Sequence, residues 1–82
     1  MKVALSEDAQ KQYKRLPKAA QIKVRKKLTA LGQNPYSGKK LAGELGDFWS
    51  IRAWPYRIIY EINLKSKRVE IHKIRHRQGS YK

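Results

Sequence analysis

Apolar residues along this chain change period once. Near the start they recur at helical spacing: Ala9, Tyr13 and Leu16 make one narrow stripe, and Ala20, Val24, Leu28 and Leu31 make a second. From Asp47 onward they alternate with polar residues, as strands with one buried face do. A helical block followed by a strand block predicts an α+β domain, not an alternating one. Ser6, followed by Glu7 and Asp8, is an N-cap with acidic residues in the first turn, so a helix is expected to start there. Before it, Lys2 to Leu5 is a short apolar piece suited to an edge strand. Pro17 stops the first helix or opens the second, which should run from Lys18 to Leu31 with Gly32 as its C-terminal cap. The expectation is two antiparallel helices joined at a proline.

Asn34 to Gly46, NPYSGKKLAGELG, reads as loop from its Pro, Ser and Gly residues. Three β-rich segments follow, Asp47 to Ala53, Tyr56 to Asn63 and Arg68 to Arg75, separated by the turn-length pieces Trp54-Pro55 and Leu64 to Lys67. They predict an antiparallel meander. The whole reads as β-α-α-β-β-β, a helical hairpin packed on an antiparallel sheet, in one domain covering residues 1–82.

Charge then narrows the function. Twenty Lys+Arg face six Asp+Glu, a formal net charge of +14 on 82 residues, and nucleic acid is the expected partner of so basic a domain. No helix pairs an aromatic-rich face with a basic one, and apolar runs are short, so no membrane association is expected. The chain has no cysteine, hence no disulfide framework and no thiolate zinc site, and its two histidines lack clustered carboxylates. Neither a metal nor a cofactor is expected. The opening MKVALSEDAQ has no apolar export segment, so the protein should be cytoplasmic.

Strand geometry places some of this charge. If the first hairpin closes symmetrically around Trp54-Pro55, Arg52 faces Arg57 across the strand pair. Two like charges side by side are unfavourable without a counterion, and a phosphate held by two guanidinium forks would supply one; two solvated arginines on an exposed face is the plainer alternative. The third strand adds His72, Lys73, Arg75 and His76, and Arg77 follows; one of its two alternating sets must join Arg57.

Helical hairpin then meander, the Leu41-Ala42-Gly43 and Phe48-Trp49-Ser50-Ile51-Arg52 approach, the block Tyr56-Arg57-Ile58-Ile59-Tyr60-Glu61-Ile62, and Arg75-His76-Arg77 with Tyr81 together resemble the RelE/ParE toxin superfamily. These are the toxic halves of type II toxin–antitoxin pairs, and the resemblance covers nearly the whole chain. It implies a microbial RNase-like fold. It also implies one of two activities: ribosome-dependent cleavage of messenger RNA in the A site, as in the RelE branch, or inhibition of DNA gyrase without nuclease activity, as in the ParE branch. On the RelE pattern, Arg57 resembles the arginine that stabilises the scissile phosphate, Arg77 the second catalytic arginine, and Tyr81 the terminal aromatic that orients a base. Cleavage would be metal-free, the neighbouring 2′-hydroxyl attacking the phosphate. The resemblance further implies the ribosome and a cognate antitoxin as partners, and the charge suggests an acidic, partly disordered chain.

The chain departs from that pattern at the proton acceptor, where two lysines of the best-known members give way to Ser50 and Arg52. An arginine is a poor base. His76, between two arginines, is the expected acid or base, unless it merely ends a strand and packs on an aromatic. His72 falls mid-strand and reads as a surface or half-buried residue; Glu61 and Glu70 could act as the base, as a glutamate does in some relatives, but read first as partners of nearby Lys and Arg. Lys73, Arg75, Ser50 and the turn residue Trp54 are candidate RNA contacts, as are the helix lysines Lys26 and Lys27, which would add affinity without reading sequence.

Overall fold

The computed structural model describes residues 1–41 and 47–76. Strand β1 (Lys2–Leu5) ends at Ser6, whose hydroxyl accepts a hydrogen bond from the Ala9 N–H at 3.1 Å and so caps helix α1 (Glu7–Arg15). Glu7 and Asp8 in the first turn, with Lys14 and Arg15 in the last, complement the helix dipole. Pro17 then stands as the N-cap residue of helix α2 (Lys18–Gln33), where its missing N–H leaves no bond unmade. Across this proline, Gln21 Nε2 donates to the Tyr13 carbonyl at 3.0 Å and the Tyr13 hydroxyl donates to the Gln21 carbonyl at 3.4 Å. Helix α2 runs through Gly32, which the sequence marks as its cap, and ends at Asn34. Gly32 is small for a different reason: a Cβ there would lie 3.1 Å from the Met1 carbonyl oxygen.

The segment expected to be loop holds a short 3₁₀ turn (Pro35–Ser37) and a two-residue strand, β2 (Lys39–Lys40). The fully buried Tyr60 fastens it to the sheet. Its hydroxyl donates to the Pro35 carbonyl at 2.8 Å and accepts from the Gly38 N–H at 3.2 Å. Gly38 is required by this approach, because a Cβ would fall 2.6 Å from the Ser50 carbonyl oxygen.

Strands β3 (Phe48–Ala53), β4 (Tyr56–Asn63) and β5 (Arg68–His76) form the expected meander. The sheet has five strands in the order β1-β5-β4-β3-β2. Strand β1 pairs parallel to β5, so the sheet is mixed and not wholly antiparallel. Both helices pack on one face of it. There Ala53, Ile58, Tyr60, Val69, Ile71 and Ile74 meet Ala9, Val24 and Leu31, while Tyr13, Leu16 and Leu28 pack at the margin. Both helical stripes are thus core, each fully buried aliphatic side chain contributing about 1.5–3 kcal/mol.

Strand β1 stops at Leu5, but β5 continues to His76. Ser6 and helix α1 take over the hydrogen bonding of this edge. The Ser6 N–H donates to the Ile71 carbonyl at 2.9 Å, the Ser6 hydroxyl donates to the His72 carbonyl at 2.9 Å, and Gln12 Oε1 accepts from the Ile74 N–H at 2.7 Å. These three contacts fix the stretch of β5 that matters for the site.

Candidate nucleic-acid interface

The face of the sheet opposite the helices is built from the alternate residues of the same strands. Its register is set by the β3–β4 hairpin, in which Ala53 pairs with Tyr56 and Arg52 with Arg57. The symmetric closure expected from the sequence is therefore present. On the other side of β4, Arg57 pairs with Arg75 of β5. Three guanidinium-bearing residues consequently stand in one row across β3, β4 and β5, with Arg57 in the middle. Among the described residues, no carboxylate lies within ion-pair distance of Arg52, Arg57, Lys73 or Arg75; the ion pairs found are Arg68–Glu70 and His72–Glu61. Like charges opposed across strands cost stability, a cost that a bound anion would relieve.

Beside the row lies a groove of 460 Å³, lined by Leu41, Phe48, Arg57, Ile59, His72, Lys73 and Arg75. Its apolar residues and its cations together suit a nucleotide, whose base and phosphate make opposite demands. The presence of both His72 and Lys73 in the lining is unusual for successive strand residues. A β-bulge explains it. Ile59 pairs with Lys73 and Tyr60 with Ile71, which leaves His72 as an extra residue and turns it to the open face. The bonds from Ser6 and Gln12 hold β5 at this irregularity.

His72 is tied down within the groove. Its Nε2 lies 3.0 Å from Glu61 Oε1, and its ring stands edge-on to Phe48 with centroids 5.1 Å apart. Because a carboxylate only accepts, Nε2 carries the hydrogen in this bond. Glu70, expected to pair with a cation, does so with Arg68 at 3.8 Å.

The remaining candidates are distributed unevenly. Lys73 and Arg75 join Arg57 in the groove. The Arg52 guanidinium lies 5.9 Å from the centroid of the half-exposed Trp54 ring, a cation–π contact at the hairpin end. Ser50 is buried between its partners Lys39 and Ile59. His76 pairs with Tyr56, on the helix-bearing side of the alternation, and its ring sits edge-on to Tyr56 at 5.2 Å. The register puts His76 on the opposite side of the strand alternation from Arg57, so the alternating set that joins Arg57 is that of Lys73 and Arg75. Lys26 and Lys27 are exposed on α2, across the sheet from the groove. Arg77 and Tyr81, like Ala42 and Gly43, lie outside the described residues. The groove's apolar lining and the His72–Glu61 pair were missed by sequence reasoning. No local signal marks the bulge that assembles them.

Comparison with known proteins converges on one group. Residues 3–81 match the family model of the ParE toxin of the type II toxin–antitoxin system parDE. Among solved structures, the RelBE2 toxin–antitoxin complex of Mycobacterium tuberculosis contains a chain similar to this one. The TM-score is 0.85 at 28% identity, over 93% of this chain and 96% of that one. The archaeal RelE–RelB complex from Pyrococcus horikoshii contains another, with a TM-score of 0.79 at 29% identity over 93% of each chain. The isolated RelE toxin of E. coli shares the fold, with a TM-score of 0.81 at 22% identity over 92% of this chain and 82% of that one. A search of curated proteins finds no match.

Proposed function

The chain belongs to the ParE toxin family of type II toxin–antitoxin systems, within the RelE/ParE superfamily, and from that premise we propose that it is a ribosome-dependent endoribonuclease that cleaves messenger RNA in the A site. The observation that carries this reading is the row Arg52–Arg57–Arg75 beside a groove with apolar walls. Three arginines opposed across neighbouring strands offer guanidinium forks to a phosphate at their centre.

In this reading the RNA supplies its own nucleophile. The 2′-hydroxyl attacks the adjacent phosphorus, the 2′-O–P bond forms as the P–O5′ bond breaks, and a cyclic phosphate remains. The protein stabilises the charge that grows on the equatorial oxygens of the phosphorane, which is the service that preorganised guanidinium forks perform. Arg57 is central to the row and takes the scissile phosphate; Arg75 and Lys73 hold the same group from β5. Phe48, Ile59 and Leu41 pack against a base. By resemblance, Arg77 adds a second catalytic cation and Tyr81 orients the base. No metal or cofactor is required. Arg52 with Trp54, and Lys26 and Lys27 on the far side, add electrostatic affinity for the ribosome and a steep dependence on salt.

The solved RelBE2 and archaeal RelE–RelB structures are toxin–antitoxin complexes. A cognate antitoxin is accordingly part of this reading: an acidic, partly disordered partner that neutralises the cationic face and keeps the toxin silent in the cytoplasm.

Primer extension on a defined messenger RNA, with and without programmed ribosomes, tests the reading. Cleavage on ribosomes alone, lost in Arg57→Ala, is the expected result. A second reading has the matching family model in its favour, since that model describes ParE toxins: inhibition of DNA gyrase. Intact RNA in every lane, with supercoiling blocked equally by the parent and by Arg57→Ala, would establish it instead.

A further inference from the structure

We propose that His72 is the proton acceptor of the cleavage reaction and that Glu61 is its positioning residue; the inference rests on the nuclease reading above. It starts from three facts of geometry. His72 lines the same groove as Arg57, Lys73 and Arg75. Its Nε2–H is given to Glu61 at 3.0 Å, which leaves Nδ1 as the acceptor of the ring. Its ring plane is fixed by the edge-on Phe48 at 5.1 Å, and its backbone by the hydroxyl of Ser6 at 2.9 Å. A histidine merely ending in solvent needs none of these constraints.

The arrangement is that of a base oriented by a carboxylate. Glu61 selects the tautomer and stabilises the imidazolium that forms when Nδ1 takes a proton, as the buried carboxylate does in hydrolase triads. In the reaction, Nδ1 accepts the 2′-hydroxyl proton as the 2′-oxygen bonds to phosphorus. The leaving 5′-oxygen is protonated from solvent, which reaches the open groove, and His72 returns its proton to water. The charged groups around the imidazole are Glu61 and Arg57 from β4, and Glu70, Lys73 and Arg75 from β5. The surrounding cations explain why the base must be held by an anion: without Glu61, the imidazolium would form amid like charges.

The bulge is what makes this possible. Without it, His72 and Lys73 would point to opposite faces, and only one of them could enter the groove.

Single-turnover cleavage of a defined messenger RNA on programmed ribosomes provides the test. His72→Ala should lose about 10²–10⁴-fold in rate at saturating ribosomes, with unchanged half-saturation, when assayed well below its own melting temperature. Added imidazole should restore part of the lost rate. Glu61→Gln should lower the saturated rate in the parent background and have no further effect in the His72→Ala background, since it acts only through the ring. A His72→Ala protein that cleaves at the parental rate overturns the proposal. So does a folded, inactive variant that imidazole does not rescue, and so does full additivity of the two substitutions. A parent protein that leaves all RNA intact overturns the nuclease reading itself, and this inference with it.

Discussion

Arg57 and Ile58 are neighbours in β4 and serve opposite faces of one sheet. Ile58 is fully buried against the helices, opposite Ile51 and Ile74, where it fills space that the neighbouring apolar side chains define. Arg57 stands between Arg52 and Arg75, where its strand neighbours repel it. The helix-covered face satisfies its own requirements: its polar groups are bonded, as Tyr60 is to Pro35 and Gly38, and no buried polar side-chain atom among the described residues lacks a partner. The open face gathers Arg52, Arg57, Lys73 and Arg75, and among the described residues no carboxylate lies within ion-pair distance of these four. Stability and function are therefore read out by alternate residues of the same strands, and substitutions one position apart should separate them.

The largest effect is expected on the covered face. Ile58→Ala should cost about 2–5 kcal/mol of stability through the cavity it leaves, measured as a lowered urea midpoint, with cleavage per folded molecule kept. Loss of cleavage in a fully folded Ile58→Ala protein would break the comparison. One residue earlier, Arg57→Ala should reduce cleavage on ribosomes by about 10²–10³-fold, the usual loss when a donor to a developing oxyanion is removed. Its melting temperature should stay the same or rise, because a repulsive pairing is relieved. A strongly destabilised Arg57→Ala would show that the arginine row is structural.

Tyr60→Phe sharpens the covered side. It removes the hydroxyl that serves Pro35 and Gly38 and should cost about 1–3 kcal/mol, seen in thermal or urea unfolding. Burial also holds the Tyr60 phenol above its ordinary value of 10.0, the Gly38 N–H opposing this only in part. A raised value means that the folded state keeps its proton longer than the unfolded chain does. Stability is then fully present below pH 10 and declines as pH rises beyond it towards the folded value. The decline should be shallower in Tyr60→Phe. The smallest effect is expected at His76, an exposed residue at the strand end whose ring stands edge-on to Tyr56. His76→Ala should change stability by no more than about 0.5 kcal/mol and leave the cleavage rate near that of the parent. A hundredfold loss there would return the proton transfer to His76 and remove it from His72.

Local rules carried the elements far. Ser6 capped a helix because an oxygen side chain ahead of two acids satisfies its orphan N–H groups, and the Trp54-Pro55 turn fixed Arg52 opposite Arg57 because a symmetric hairpin has one register. Gly32 was misread as a cap, since a glycine forced by close approach of the Met1 carbonyl looks identical in sequence. The parallel pairing of β1 with β5 also had no local signature.

The two histidines mark the boundary. Period, capping, turn chemistry and charge are properties of neighbouring residues, so the chain by itself determined an α+β domain, a cationic sheet and the Arg52–Arg57 pair. Which face each histidine takes depends on a bulge, and at that bulge Ser6 and Gln12, more than sixty positions away, bond to the edge of β5. Strand alternation alone puts residues 72 and 76 on one face; the extra residue reverses that relation. Only the tertiary structure could decide it, because strand pairing and the bonds at the irregularity involve residues distant in sequence.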